Sequence, residues 1–177
     1  MPAATPDRRI IYRGRKIDLA LQSVGLADGS TAHREVILHR GAVAMVPMLD
    51  ADHVCLVRNE RYTVGRVLLE VPAGTIDPGE SPDETATREL TEETGYRAGR
   101  IARIFEWFVS PGVMNEKMYL YLCEDLISGS TAHQPDENLE SEVVAWDEAV
   151  RMVRDGRIED AKTMLAILLC DGLRHTS

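Results

Sequence analysis

Residues 81–95, SPDETATRELTEETG, fix a helix at both ends, and no other stretch of the chain constrains the fold so tightly. Ser81 is an N-cap residue, Pro82 suits the first helical position, and Glu84 completes a capping box with Ser81. Gly95 stops the helix, because a glycine takes the left-handed conformation that a helix C-terminus requires. Inside these limits Ala86 and Leu90 form a short apolar stripe at i, i+4.

The flanking segments alternate or run apolar in the manner of strands. From Arg8 to Arg40 three β-branched runs are separated by turns at Arg13-Gly14-Arg15 and Ala27-Asp28-Gly29-Ser30. They predict an antiparallel β-meander, residues 1–40, too thin to bury both of its faces alone. A second unit, residues 41–177, opens at Gly41. Strands are expected in GAVAMVPML and HVCLVRNERY, joined by a turn at Asp50-Ala51-Asp52, then in RVLLEVPAG, at 101–108, at 117–123 and at 142–146. Trp107 and Trp146 fall in these strands as core or edge residues. Two closing helices are expected to end at Gly156 and Gly172, each with glycine as the left-handed stop. Strands interleaved with helices predict an α/β fold, a mixed sheet covered by helices.

The chemistry lies in the helix. Glu89, Glu92 and Glu93 stand at i, i+3 and i+4, so their carboxylates crowd one side. Like charges at that spacing destabilise a bare helix by a few tenths of a kcal/mol per pair. They also sit toward the C-terminal end, where the helix dipole disfavours anions. Arg88 can relieve the crowding through Glu84 and Glu92. Taken alone, the cluster reads either as a solvated acidic face or as a site for Mg²⁺ or Mn²⁺, hard cations that prefer oxygen ligands and bridge phosphate oxygens.

The flanks decide between these readings. Gly74, five residues, Glu80, seven residues, Arg88-Glu89-Leu90, one residue, Glu92-Glu93, one residue, Gly95-Tyr96 resembles the Nudix hydrolase signature at nine fixed positions. Leu68 to Gly74 (LLEVPAG), Pro111 sixteen positions after Gly95, and the tail DGRIEDAKTMLAILL are similar to the ADP-ribose pyrophosphatase group of that family. The resemblance implies an α/β/α sandwich around a mixed sheet, and Mg²⁺- or Mn²⁺-dependent hydrolysis of a nucleoside diphosphate sugar. ADP-ribose is the expected substrate; the alternatives are another nucleotide sugar such as GDP-mannose, or a ligand-sensing module without catalysis. It implies Glu89, Glu92 and Glu93 as metal ligands together with the carbonyl of Ala73, with Glu92 able to activate water instead. Glu80 and Arg88 are implied as an ion pair fixing the loop to the helix. Arg61 and Glu70 are implied at the nucleotide end of the substrate, and Ser110 and Glu116 at the ribose-phosphate end. The general base is expected in the acidic loop before the last strand, at Glu137, with Glu140 as the alternative. Two places depart from the group: Leu139, where relatives often carry a second acid, and Asn59-Glu60 before Arg61, where glutamine and an aromatic are usual. The resemblance also implies a homodimer that exchanges the N-terminal meander.

Composition narrows the partners. Twenty Lys and Arg against 29 Asp and Glu leave a net charge of −9 over 177 residues, which argues against nonspecific binding to nucleic acid or to an anionic membrane. Three cysteines, Cys55, Cys123 and Cys170, each sit in an apolar run and read as small buried residues. The N-terminus has no apolar signal-like run, and no apolar stretch reaches the roughly 18 residues of a membrane-crossing helix. A cytoplasmic location is expected.

Overall fold

The computed structural model describes residues 7–129 and 139–175. The three N-terminal runs form the expected meander, β1 (Arg8–Arg13), β2 (Ile17–Gly25) and β3 (Thr31–His39), a separate sheet in the order β1-β2-β3. It is thinly covered. Ile11 and Tyr12 are more than half exposed, and Ala20 is its one fully buried residue among those described. Its attachment to the rest of the chain runs through β3, where the Ile37 amide donates to the Val113 carbonyl (2.9 Å) and the His39 amide to Asn115 Oδ1 (2.7 Å).

The remaining strands are β4 (Ala42–Pro47), β5 (His53–Arg61), β6 (Arg66–Glu70), β7 (Ala73–Thr75), β8 (Tyr96–Phe108), β9 (Lys117–Ser128) and β10 (Leu139–Ala145). One sheet has the order β7-β4-β9-β8 and is mixed, since β4 runs parallel to β9 while its other pairs are antiparallel; the second has the order β10-β5-β6. β4 shows why the layers stack as they do. All six of its residues are buried, as expected of a strand covered on both faces. Val43 and Met45 pack with Tyr121 and Cys123 against Ala86 and Leu90 of α1 (Pro82–Thr94). Ala42, Ala44 and Val46 face the other way, toward the layer that holds α2 (Trp146–Arg154) and α3 (Ala161–Arg174). This is the α/β/α sandwich that the resemblance implied. Leu90, almost fully buried, contributes roughly 1.5–3 kcal/mol by its burial and seats α1 on the sheet.

The caps of α1 are as expected. Ser81 accepts from the Glu84 amide, Glu84 closes the box on the Ser81 amide, and Gly95 adopts φ 74°. Two expectations are corrected. α3 runs through Gly172 to Arg174 instead of stopping at the glycine, because Asp171 and Arg174 are both held by Trp146: its indole N–H donates to Asp171 Oδ1 (3.0 Å), and Arg174 lies over its ring. Trp146 itself opens α2 instead of ending β10. Gly156 does take a left-handed conformation just past α2 (φ 80°). The three cysteines are free and buried. No helix among the described residues is long and apolar enough to cross a membrane.

Candidate active site

The site forms where the short strand β7 meets the buried side of α1. A β-carbon on Gly74 would fall 2.0 Å from Glu89 Cδ and 2.1 Å from its Oε1, so the missing side chain is the space that the Glu89 carboxylate occupies. One turn later Glu93 Oε2 accepts from the Ala73 amide (3.1 Å). Both glutamates are almost fully buried, at 5% and 3% exposure.

Arg88 organises the rest of the acidic cluster. Its Nε and Nη2 grip the two oxygens of Glu80 at 3.0 and 2.9 Å, and Nη1 donates to Glu89 (2.9 Å) and Glu92 (3.1 Å). A planar guanidinium can satisfy carboxylates in this forked manner and a lysine cannot. The fork, helped by the Thr85 hydroxyl, holds the Glu80 carboxyl down at about 2, and Glu80 in turn raises Arg88. The expected Glu80–Arg88 ion pair is therefore present.

A second charged chain lies across the site. Arg61 donates twice to Glu70, Nε to Oε1 (2.8 Å) and Nη2 to Oε2 (2.5 Å). Lys162 donates to the same Glu70 and pairs with Asp160 at 3.0 Å. Glu70 is only 1% exposed, and its pairing raises Arg61 above the ordinary arginine range.

Both groups border one cavity of about 350 Å³. Its acidic lining comprises Asp77, Glu89, Glu93 and Glu116; its basic lining comprises Arg15, Lys16, Arg40, Arg61 and Lys162, with Ala73 and Asn59 between. The expected residues therefore divide. Ala73, Glu89, Glu93, Arg61 and Glu116 line the cavity. Glu80, Arg88 and Glu92 stand beside it as one network, Glu70 lies behind Arg61, and Ser110 closes a turn by accepting from the Val113 and Met114 amides. Glu137 lies outside the described residues, and Glu140 is exposed on β10.

Sequence reasoning missed Arg15, Lys16, Arg40 and Lys162, which come from elements with no shared motif. Lys162 carried one signal: it stands in the first turn of α3, where the helix dipole disfavours a cation.

Buried carboxylates with hard oxygen donors beside the Ala73–Gly74 backbone suit Mg²⁺ or Mn²⁺ in kind. Among the described residues no three His, Cys, Asp or Glu side chains converge into a complete cation site. Arg88 draws Glu92 and one oxygen of Glu89 toward itself, so the fit rests on Glu89, Glu93 and the Ala73 backbone.

A family model described as NUDIX domain matches residues 38–167, a span that leaves out most of the meander. The ADP-ribose pyrophosphatase of Bacillus subtilis (strain 168) is 36% identical over 159 residues, 89% of this chain and 86% of that protein. The methanol dehydrogenase activator of Bacillus methanolicus is 33% identical over 170 residues, 93% and 92% of the two chains. A solved structure described as ADP compounds hydrolase superposes with a TM-score of 0.81 at 24% identity, covering 98% of this chain and 96% of that one, which supports the fold. By sequence and by fold, the chain belongs to the NUDIX domain family and is a Nudix hydrolase.

Proposed function

We propose that the protein hydrolyses the pyrophosphate bond of ADP-ribose to AMP and ribose 5-phosphate, with Mg²⁺ or Mn²⁺ as cofactor. The observation that carries the reading is a single cavity with Glu89 and Glu93 among its acids and Arg61 among its cations. A diphosphate ester needs both: carboxylates to hold a divalent cation and protein cations to hold the remaining phosphate charge. The likeness to an ADP-ribose pyrophosphatase over most of both chains supports the substrate.

In this reading Glu89, Glu93 and the Ala73 carbonyl hold the metal, and Glu92, paired with Arg88 beside them, is the third carboxylate of the cluster. When bound, the cation neutralises phosphate charge and lowers the pKa of water. Arg88 and Glu80 keep the loop before α1 in register with the glutamates. Arg61 holds the nucleotide end, supported by Glu70, and Glu116 and Ser110 border the ribose-phosphate end. Glu137, beyond the described residues, takes the proton of the attacking water. The meander, residues 1–40, exchanges across a homodimer; its exposed Ile11 and Tyr12 support that arrangement, and light scattering showing a monomer at micromolar concentration would refute it. The protein works in the cytoplasm.

The test is phosphate release from the products by an added phosphatase, with ADP-ribose and GDP-mannose compared at fixed Mg²⁺. ADP-ribose is expected to be the better substrate, and Glu93→Gln and Glu137→Gln to lose most activity. Faster turnover of GDP-mannose would overturn the substrate. Tight binding of ADP-ribose without hydrolysis in saturating Mg²⁺ would indicate a sensing module.

A further inference from the structure

The chain Arg61–Glu70–Lys162–Asp160 alternates in sign, and its members are arranged by sign. The two cations line the cavity; the two carboxylates do not. Glu70, at 1% exposure, is gripped by Arg61 and Lys162 together, while Asp160 pairs with Lys162 and caps α3 by accepting from the Thr163 amide (2.9 Å) and hydroxyl (2.6 Å). The Thr163 hydroxyl in turn accepts from the Val71 amide (2.9 Å), which fastens the start of α3 to the end of β6. The result is a fixed wall with positive charge in front and negative charge behind.

Lys162 is the informative member. Its side chain is only 14% exposed, and a lysine is seldom buried this far without a specific partner. Its position in the first turn of α3 is unfavourable for a cation. An ammonium has three N–H donors; Glu70 and Asp160 account for two, and the third remains for the cavity that Lys162 lines. A long, flexible side chain loses much of its rotamer freedom when fixed. Here the two carboxylates have already imposed that loss before any ligand arrives.

We propose that Lys162 is a binding residue for the diphosphate of the substrate, standing beside Arg61 and held ready by Glu70 and Asp160. The inference deepens the hydrolase reading by assigning the C-terminal helix a direct contact with substrate phosphate. It also gives Glu70 a backing role in place of a substrate contact, since both of its oxygens are engaged.

The test measures binding of ADP and of adenosine by calorimetry, without divalent metal, to wild type, Lys162→Met and Lys162→Arg. Removing a hydrogen bond to a charged group typically costs enough to lower affinity about tenfold or more. Lys162→Met is therefore expected to weaken ADP by about tenfold while leaving adenosine unchanged, and Lys162→Arg to restore most of the loss. Loss of ADP and adenosine binding in parallel would mark Lys162 as purely structural and overturn the proposal. So would wild-type ADP affinity in Lys162→Met, or no ADP binding by wild type. If Lys162→Met does not fold, Lys162→Arg decides between these outcomes against Lys162→Gln. Selective loss of ADP binding in an enzyme that fails to hydrolyse ADP-ribose would sink the hydrolase substrate and leave the Lys162 assignment standing.

Discussion

Gly74→Ala separates the chemistry of the site from its stability. The β-carbon of alanine would stand 2.0, 2.1 and 2.4 Å from Glu89 Cδ, Oε1 and Cγ. Ordinary contact between such atoms begins at about 3.5 Å, so the carboxylate must retreat by roughly 1.5 Å. The backbone itself does not object, because Gly74 is not among the glycines at positive φ. The atoms displaced are the far end of a side chain, so the fold can yield there. Overpacking of this kind costs about 1–3 kcal/mol. It is partly offset by about 0.4–1 kcal/mol from the stiffer unfolded chain, and a net of about 0–2.6 kcal/mol lowers the Tm by at most about 10 °C at this chain length. Activity should suffer far more, since a misplacement of about 1 Å at a catalytic constellation can cost about 10²-fold. Calorimetry and kcat/KM on ADP-ribose, measured on the same preparation, check both parts. A folded Gly74→Ala enzyme within threefold of wild-type kcat/KM would refute the claim that Glu89 must lie against that backbone.

Three further outcomes follow from the charges. Arg88→Lys keeps the sign but loses the fork on Glu80 and the reach to Glu89 and Glu92; with Arg88 about a quarter exposed, a loss of about 1–2 kcal/mol is expected, readable as a lower urea midpoint, and an unchanged midpoint would count against the network. Because Arg88 holds the Glu80 carboxyl at about 2 instead of its ordinary 4.5, that pair stabilises fully above about pH 4.5 and its contribution is lost as pH falls toward 2. Glu80→Gln should therefore be less stable than wild type at pH 6, with the gap narrowed at pH 3 and closing only near pH 2, and an equal gap at pH 6 and pH 3 would contradict this. Burial pushes the Cys55 thiol up to about 11 and the Cys123 and Cys170 thiols to about 12. Native protein should therefore resist iodoacetamide and react only on unfolding, and rapid labelling with loss of activity would overturn the view of them as inert core residues.

What could be read from the chain alone follows the range of the forces involved. The α1 helix was legible to the residue, because capping, the proline at its start and the glycine stop act within one turn. The antiparallel meander was legible for the same reason, as its turns are local. The parallel pairing of β4 with β9 joins residues more than seventy positions apart, and alternation carries no information about such a partner. The continuation of α3 past Gly172 has the same origin. Glycine costs roughly 1 kcal/mol in a helix, and contacts of Asp171 and Arg174 with a tryptophan some 25 residues earlier outweigh it. Trp146 was placed in a strand because the apolar run through EVVAW continues without a break, and the cap of α2, Ala145, offers no side-chain signal.

Spacing gave the three glutamates but not their division of labour. At about 100° per residue, Glu89 and Glu93 lie about 40° apart, whereas Glu92 stands about 100° from Glu93, on the side where Arg88 takes it. The face that meets β7 therefore receives the first pair alone. The cations of the cavity were hidden for a different reason: Arg15 and Lys16 come from the meander, Arg40 from its junction with the domain, and Lys162 from the last helix. Five cations and four acids line a cavity in a chain of net charge −9, so the acidity of the whole says nothing of the site. Metal binding was the only way the sequence offered to reconcile an acidic protein with an anionic substrate. The structure adds a second feature: Arg61 and Lys162, held by the buried Glu70, line the same cavity, where the proposed reading puts the diphosphate. In that reading a bound cation offsets Glu89 and Glu93, the two buried acids among the four that line the cavity.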